Sequence, residues 1–179
     1  MTTAREQVVL LDDARRPVGV ADKATVHTRE TPLHLAFSCY VLDGAGRLLL
    51  TRRALSKLTW PGVWTNSACG HPAPGEPLGD AVHRRVGQEL GLTLADVREV
   101  LPDFAYRAVD AGGIVENEVC PVFVARAAGD PVVEPDEVAE WAWADPAAVV
   151  RTAAGTPWLL SPWSVLQLAE LDAAGHLGR

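Results

Sequence analysis

Short apolar segments, each closed by glycine, proline or aspartate residues, recur along this sequence and limit the folds that it can adopt. Apolar segments of this length that are bounded by turn residues predict β-strands. An irregular loop over residues 56–71, rich in Trp, Pro, Gly and Asn, leads into a further short strand near Cys69. The other strands that this pattern predicts are residues 8–11, 33–42, 47–51, 104–109, 114–127 and 140–144.

Helix signals lie between and after these strands. A helix is predicted over residues 81–90, with Asp80 as its N-cap and Gly91 as its C-cap. Its apolar residues recur every four positions and should face the core: Val82, Val86 and Leu90. A capping residue followed by proline predicts two further helix starts: Asp145-Pro146 and Ser161-Pro162. Strands and helices mixed in this way predict a mixed sheet flanked by helices, which is an α+β fold of the α/β sandwich type.

The length and charge of the chain disfavour several classes of function. The 179 residues fit one domain, or one domain with a modest extension. The net charge is −7 and no stretch is strongly basic, so nucleic acid is not expected as a main partner. No apolar run approaches the ~20 residues of a membrane span, and the first seven residues lack the apolar segment of a signal peptide. We therefore expect a cytoplasmic protein without a membrane partner.

The cysteines point to chemistry rather than to a disulfide framework. Cys39, Cys69 and Cys120 are an odd number of widely spaced residues, which predicts free thiols in a cytoplasmic protein. Cys69 is followed two positions later by His71. Residues two apart on a strand point to the same side, so this thiol and this imidazole should share one face.

Glu116 and Glu118 are two carboxylates on one side of the strongly apolar strand predicted at 114–127. Alternating acids often mark a solvated strand face, and that is the alternative interpretation. However, acids inside an apolar run are costly unless they meet a metal or cations. We therefore favour a metal-binding or catalytic role for this pair.

Three histidines can complete such a site. His27 and His34 flank a predicted turn at Thr31-Pro32, and His71 adds a third imidazole. Taken singly, each histidine is more often an ordinary surface or core residue. Together with the two glutamates they form a mixed nitrogen and oxygen shell that suits Mn²⁺, Mg²⁺, Fe²⁺ or Zn²⁺, and ligand type does not choose among these ions.

Residues 70–92 resemble the Nudix box, G-x5-E-x7-R-E-U-x-E-E-x-G-U, in which U is aliphatic and a loop and helix supply carboxylates for divalent metal. Arg85 stands where the box has glutamate, and Gln88 replaces the first glutamate of its pair. These changes remove carboxylates that Nudix hydrolases use to gather metals and activate water, which disfavours a hydrolase. The matching positions are Gly70, Glu76, Arg84, Glu89, Gly91 and Leu92.

The surrounding segments resemble type 1 isopentenyl-diphosphate isomerases, a family with the Nudix fold. The resemblance covers roughly residues 7–170, and the modified box with two arginines and one glutamate is also what this family shows. It implies a Nudix-like mixed sheet flanked by helices in a single domain over residues 1–179. The core would span roughly residues 30–170, and an N-terminal extension, residues 1–29, would contribute to the metal site. The motifs that carry the resemblance are residues 34–38, 51–57, 60–72, 113–119 and 161–163.

The resemblance also implies a reaction. That family moves a double bond between isopentenyl and dimethylallyl diphosphate, in isoprenoid precursor biosynthesis, by adding a proton on one face and removing one from the other. The implied cofactors are Mg²⁺ with the diphosphate and one further divalent metal, Mn²⁺ or Zn²⁺. The expected partner is an isoprenyl diphosphate, and the chain is expected to act as a monomer or weak homodimer.

The implied roles fall on residues that match the family's motifs. The acid/base pair would be Cys69 and Glu118, with Tyr106 supporting the carboxyl and Trp163 stacked over the carbocation. Phosphate would be bound by Lys23, Arg53, Lys57 and Arg85. The Mn²⁺ or Zn²⁺ ion would be held by His27, His34, His71, Glu116 and Glu118, and Mg²⁺ by Glu89 and the backbone carbonyl of Cys69.

Two rival functions stay open at this stage. A Nudix pyrophosphohydrolase would share the fold and the metal, but it needs the missing carboxylates. A catalytically silent diphosphate-binding module would be expected to lack Cys69 or Glu118, and both are present.

Overall fold

The computed structural model of the protein describes residues 6–177, so residues 1–5 of the predicted N-terminal extension and residues 178–179 lie outside it. The strands are β1 (Gln7–Leu11), β2 (Pro17–Asp22), β3 (His34–Leu35), β4 (Phe37–Leu42), β5 (Leu48–Arg53), β6 (Trp64–Thr65), β7 (Ala68–Gly70), β8 (Leu94–Leu101), β9 (Ala105–Val109), β10 (Val115–Val119), β11 (Val122–Ala127) and β12 (Val138–Ala144). The α-helices are α1 (Lys23–Val26), α2 (Leu78–Leu90), α3 (Pro146–Gly155) and α4 (Pro162–Ala173), and a 3-10 turn, Pro157–Leu159, joins α3 to α4.

The strands form two sheets. The first has the order β2-β1-β3-β10-β9, and the second has the order β12-β5-β4-β11-β8, with β6 paired to β5 and β7 paired to β4. Both sheets are mixed, because β10 runs parallel to β3 and β11 runs parallel to β4, whereas the other pairs are antiparallel. The mixed sheet predicted from the sequence is confirmed.

Each of the two longest predicted strands passes from one sheet to the other. The segment 33–42 divides into β3 and β4 at Ala36, and the segment 114–127 divides into β10 and β11 at Cys120 and Pro121. Proline has no N–H to donate and cannot continue a ladder, and the preceding amide, of Cys120, bonds to a loop carbonyl instead. The prediction of one continuous strand in each segment was therefore wrong. The division places the acids of β10 in the first sheet, beside β3.

Helices cover both faces of the second sheet. On one face α2 packs through the predicted apolar stripe, whose members are fully buried, and on the other face α4 packs through Leu168 and Leu171. Neighbouring residues of β4 alternate between the two cores, with Tyr40 on the α4 side and Val41 on the α2 side. The α/β sandwich is thus confirmed. Among residues 6–177, no helix is long and apolar enough to cross a membrane.

Capping residues in the sequence predicted most of the helix ends correctly. Asp145 and Ser161 cap α3 and α4 as predicted, and Gly91 ends α2 in the left-handed conformation at φ 63°. The N-cap predicted at Asp80 was wrong, since α2 begins at Leu78 and Asp80 lies in its first turn. An acidic residue is favourable in either position, because the first turn carries the positive end of the helix dipole.

Candidate active site

A cavity of about 230 Å³ draws its wall from both sheets, from α2 and from the start of α4. His34 is the one predicted site residue that does not line it, and its side chain is fully buried. The structure therefore brings together side chains from seven separate stretches of the chain. The predicted residues on the cavity wall are Lys23, His27, Arg53, Lys57, Cys69, His71, Arg85, Glu89, Tyr106, Glu116, Glu118 and Trp163.

Imidazole and carboxylate atoms converge at one end of the site. The parallel register of β3 and β10 sets His34 directly beside Glu118. The Nε2 atoms of His34 and His71 are 3.2 Å apart, and each lies close to Glu118 Oε1, at 3.3 and 3.1 Å respectively. With His27, these residues offer four ligand atoms that all lie within 4.8 Å of one another. Such an arrangement suits a divalent ion.

Several atoms of this cluster lack ordinary hydrogen bonds. His27 Nε2 and Glu116 Oε2 face each other at 3.0 Å, yet neither has a hydrogen-bond partner within the described residues. His34 Nδ1 lies 2.9 Å from the Pro32 carbonyl, a contact that needs a proton on Nδ1 and turns Nε2 toward the rest of the cluster. Buried polar atoms without partners are costly, and a bound cation among them would remove that cost. The donor set therefore fits a divalent metal, although Glu116 lies outside the four mutually close residues.

The charges of the cluster depend on burial and on mutual contact. Burial lowers the pKa of His71, which favours the neutral imidazole that binds metals. Burial acts the same way on His34, but the hydrogen bond and charge of Glu118 outweigh it and raise the pKa of His34. Burial opposes ionisation of Glu118, yet the hydrogen bonds from His34 and His71 hold its pKa well below the ordinary range. Glu118 is thus a carboxylate at neutral pH.

Cys69 lies half-buried on the same cavity wall. Its thiol donates to Asn66 Oδ1 at 3.3 Å, and its Sγ lies 3.4 Å from Ser38 Oγ. Burial raises the pKa of Cys69 to about 11, because the hydrogen bonds with Ser38 and Asn66 offset it only in part. The cavity therefore carries a protonated thiol and an ionised carboxylate, which are one acid and one base.

Aromatic rings close the cavity beside this pair. Tyr106, which faces Glu118 in the register of β9 and β10, donates its hydroxyl proton to Glu118 Oε2 at 2.9 Å. The ring of the buried Trp163 lies 5.6 Å from that of Tyr106 and 5.4 Å from that of Trp60 between centroids. The guanidinium carbon of Arg53 lies 5.5 Å from the Trp163 centroid. This indole face can therefore hold positive charge.

The predicted phosphate-binding cations are each held by another group. Lys57 and Arg85 both contact the carboxylate of Glu137, Arg85 at 3.4 Å, and Lys23 contacts Glu6 at 2.5 Å. Arg85 also forms an ion pair with Glu89, one turn further along α2. Arg53 donates to a loop carbonyl.

Sequence reasoning missed three side chains at this site: Glu6, Glu137 and Asn66. No local signal marks the two acids, because each reaches the cations only through the tertiary fold. Asn66 lies inside one of the matched motifs, but its neighbours in sequence do not reveal that its amide contacts Cys69 and Trp163.

Known proteins resemble this chain both in fold and in sequence. The NUDIX domain family matches residues 32–163. A protein of Deinococcus radiodurans, DR0079, shares the fold with a TM-score of 0.70 at 19% identity, and covers 92% of this chain and 98% of its own. The MutT protein of Methanosarcina mazei Go1 has a TM-score of 0.62 at 19% identity, covering 80% of this chain and 96% of its own. These likenesses show the Nudix fold.

Relatives of much higher identity carry one name, isopentenyl-diphosphate Delta-isomerase. The protein of Clavibacter sepedonicus is 61% identical over 175 residues, which are 97% of this chain and 92% of the relative. That of Frankia alni is 61% identical over 171 residues, 96% of this chain and 88% of the relative. The protein of Corynebacterium glutamicum is 56% identical over 174 residues, which are 94% of this chain and 92% of the relative. The chain therefore belongs to the isopentenyl-diphosphate Delta-isomerase family, within the NUDIX domain proteins.

Proposed function

We propose that this protein acts as an isopentenyl-diphosphate Delta-isomerase, the name that its relatives carry, and that it interconverts isopentenyl diphosphate and dimethylallyl diphosphate. The observation that carries the proposal is the position of the Cys69 thiol and the Glu118 carboxylate on the wall of one cavity, which Tyr106 and Trp163 also line. A hydrolase would need a base beside a water molecule at phosphorus. It would have no use for a thiol and an indole on the same cavity wall.

The reaction chemistry explains this arrangement. Protonation of an unactivated alkene produces a tertiary carbocation, so the protein must supply an acid, remove a different proton and exclude water. We assign the two proton transfers to Cys69 and Glu118, with Tyr106 orienting the carboxylate. The indole face of Trp163 would stabilise the cation by ~2 kcal/mol or more in a desolvated site. Burial of the rings keeps water from the cation.

We assign binding of the diphosphate to the cations of the cavity wall, because an ammonium or guanidinium group offers several N–H donors to phosphate oxygens. When bound, divalent ions would add positive charge at the diphosphate and at the Glu118 carboxylate. The cations in the proposal are Lys23, Arg53, Lys57 and Arg85. In the proposal Mg²⁺ would be held by Glu89 and the Cys69 carbonyl, and the Mn²⁺ or Zn²⁺ ion would be held by His27, His34, His71, Glu116 and Glu118.

The wider setting is also part of the proposal. We place the protein in the cytoplasm, as a single domain over residues 1–179 that acts as a monomer or weak homodimer. A net charge of −7 supports a role without nucleic acid. Four cations lie together on the cavity wall of this acidic chain, which is where a small anion would bind.

One assay separates this function from its rivals. The protein is incubated with isopentenyl diphosphate and Mg²⁺, and the products are resolved by chromatography. Dimethylallyl diphosphate is the expected product. Release of phosphate or pyrophosphate would instead identify a hydrolase, and unchanged substrate would identify a binding protein. A sample treated with chelator is the matched control.

A further inference from the structure

Asn66, in the turn between β6 and β7, is a fully buried amide that contacts two residues of the proposed catalytic machinery. The Cys69 thiol donates to its Oδ1 at 3.3 Å. The indole Nε1–H of Trp163 donates to the same oxygen at 3.1 Å. One acceptor atom therefore joins a group on β7 to a group in the first turn of α4, two elements that are remote in sequence.

The amide is itself held in one orientation. Its Nδ2 donates to the carbonyl oxygens of Cys39 at 3.2 Å and Ala68 at 2.7 Å. The Thr65 hydroxyl adds a third donor to Oδ1 at 2.8 Å. The amide nitrogen donates both of its hydrogens to carbonyl oxygens, and the amide oxygen accepts from three donors. The network therefore permits only one assignment of the oxygen and the nitrogen. Oδ1 is thus a fixed point in the wall behind the cavity.

We propose that Asn66 is a positioning residue that aligns the Cys69 thiol and the Trp163 indole on the same part of the substrate. The inference rests on the proposed function. A thiol rotates freely about its Cα–Cβ bond, and the bond to Oδ1 selects one rotamer. The bond from the indole N–H fixes the tilt of the ring. Because the cation forms on the carbon next to the one that receives the proton, the spacing between thiol and ring contributes to the barrier, and an error of about 1 Å costs roughly 10²-fold in rate.

The first test is Asn66→Ala, assayed by conversion of isopentenyl diphosphate. We expect kcat to fall about 100-fold while KM stays within about twofold, since Asn66 contacts none of the cations assigned to the diphosphate. Binding of inorganic diphosphate with Mg²⁺, followed by calorimetry, should equal that of the wild-type protein. A rise in KM without a loss of kcat would overturn the proposal.

Ser67→Ala is the matched control for loss of a buried polar group in the same turn. Ser67 is also fully buried, and its hydroxyl accepts from the Val41 amide at 2.8 Å and donates to the Leu49 carbonyl at 2.7 Å, so its hydrogen bonds go to neither Cys69 nor Trp163. It should lower Tm to a similar degree and leave kcat within about twofold. An equal loss of kcat in both variants would reduce Asn66 to a stability residue and overturn the proposal.

Asn66→Asp is the conservative variant, because it keeps the acceptor oxygen but loses the two amide donors that anchor it. We expect its kcat to lie roughly tenfold below wild type, clearly above that of Asn66→Ala, with KM unchanged. If Asn66→Ala does not fold, Asn66→Asp alone still tests the positioning role, because its kcat can be compared with that of the wild-type protein. A kcat at the wild-type level, or as low as that of Asn66→Ala, would contradict a role for the oxygen.

The catalytic activity of the protein and the role of Asn66 can be contradicted separately. If the wild-type protein forms no dimethylallyl diphosphate, the proposed function is wrong. If the wild-type protein is active and Asn66→Ala keeps more than about half of its kcat, against a loss of roughly 10²-fold expected for misplaced groups, only the positioning role is wrong.

Discussion

Cys69 differs from the other two cysteines in what it can reach. Cys39 and Cys120 are fully buried, and burial raises the pKa of each thiol above that of a free cysteine. Cys69 shares the raised pKa but lines the cavity. A thiol that keeps its proton at neutral pH and lies open to a ligand is suited to donate that proton, whereas the buried pair acts as small apolar residues.

Replacement of Cys69 by alanine tests this difference. Cys69→Ala should lower kcat by about 10²-fold or more, the loss typical of a missing acid or base, while metal content and folding stay intact. The measurement is steady-state formation of dimethylallyl diphosphate. Cys39→Ala and Cys120→Ala are the controls and should be close to wild type. A Cys69→Ala protein that keeps more than about a tenth of wild-type kcat would show that the assignment is wrong.

Trp163 offers a test of the carbocation. Trp163→Leu keeps an apolar wall but removes the π face, so the hydrocarbon tail can still be buried. We expect kcat to fall substantially while KM changes little, the pattern of an interaction made mainly in the transition state. The phenyl ring of Trp163→Phe has a weaker quadrupole, so its kcat should lie between those of the wild-type protein and Trp163→Leu. If Trp163→Leu instead raises KM and leaves kcat unchanged, Trp163 is only a wall of the pocket.

At the scale of the element, Glu76 and Arg84 tie the loop after β7 to helix α2. Arg84 donates through Nε and Nη2 to the two carboxylate oxygens of Glu76, at 2.8 and 2.7 Å, and through Nη2 to the backbone carbonyl of His71 at 3.2 Å. The Ala73 amide also donates to Glu76, at 2.7 Å. This bidentate pair therefore holds the backbone that presents Cys69 and His71 to the cavity.

The stability contribution of this pair should depend on pH. The hydrogen bond from Arg84 lowers the pKa of Glu76, so its contribution is complete above the unfolded carboxyl pKa of about 4.3 and is lost as pH falls through the lower folded value. Glu76→Gln should cost about 1–2 kcal/mol at pH 7 in urea unfolding, and the difference from wild type should shrink in acid. A difference that is independent of pH would mean that the charge contributes nothing.

The control for that experiment is Glu140→Gln. Glu140 also pairs with an arginine, Arg52, at 2.7 Å, but its side chain is 56% exposed. Solvent screens such a pair, so the substitution should cost less than about 1 kcal/mol.

At the scale of the whole molecule, the candidate metal ligands join distant parts of the chain. His27 follows α1, His34 lies on β3, His71 follows β7 and Glu118 lies on β10. These elements belong to both sheets, so an ion bound here would link them. Metal binding should therefore be coupled to the order of the N-terminal segment.

Removal of the metal tests this coupling. A chelator-stripped sample should be inactive, should unfold at a lower Tm and should be cut more readily by protease before residue 34. Mass spectrometry of the fragments locates the cuts, and readdition of Mn²⁺ or Zn²⁺ should restore protection. Elemental analysis that finds no transition metal in a fully active protein, grown with both ions, would contradict the site.

Local signals in the sequence determined the helices α2, α3 and α4. The stripe of Val82, Val86 and Leu90 and the caps at Asp145 and Ser161 depend on neighbours within one turn, so the sequence alone contains the information. Three strands and helix α1 escaped prediction. Strand β6 is only two residues long and lies inside the loop predicted over residues 56–71. Strand β2 begins at a proline and is exposed on an edge, and β8 mixes charged and apolar residues without alternation.

Only the tertiary structure decided how the site is assembled. The division of the two longest predicted strands between two sheets sets His34 beside Glu118, and no local pattern specifies a partner strand because pairing depends on contacts remote in sequence. The same holds for Glu137 at the cations and Asn66 behind the thiol. Residue type and motif spacing determined which chemistry this chain can perform. The packing of the sheets and helices decided which atoms meet, because a side chain's partners and its pKa depend on the groups that surround it in space.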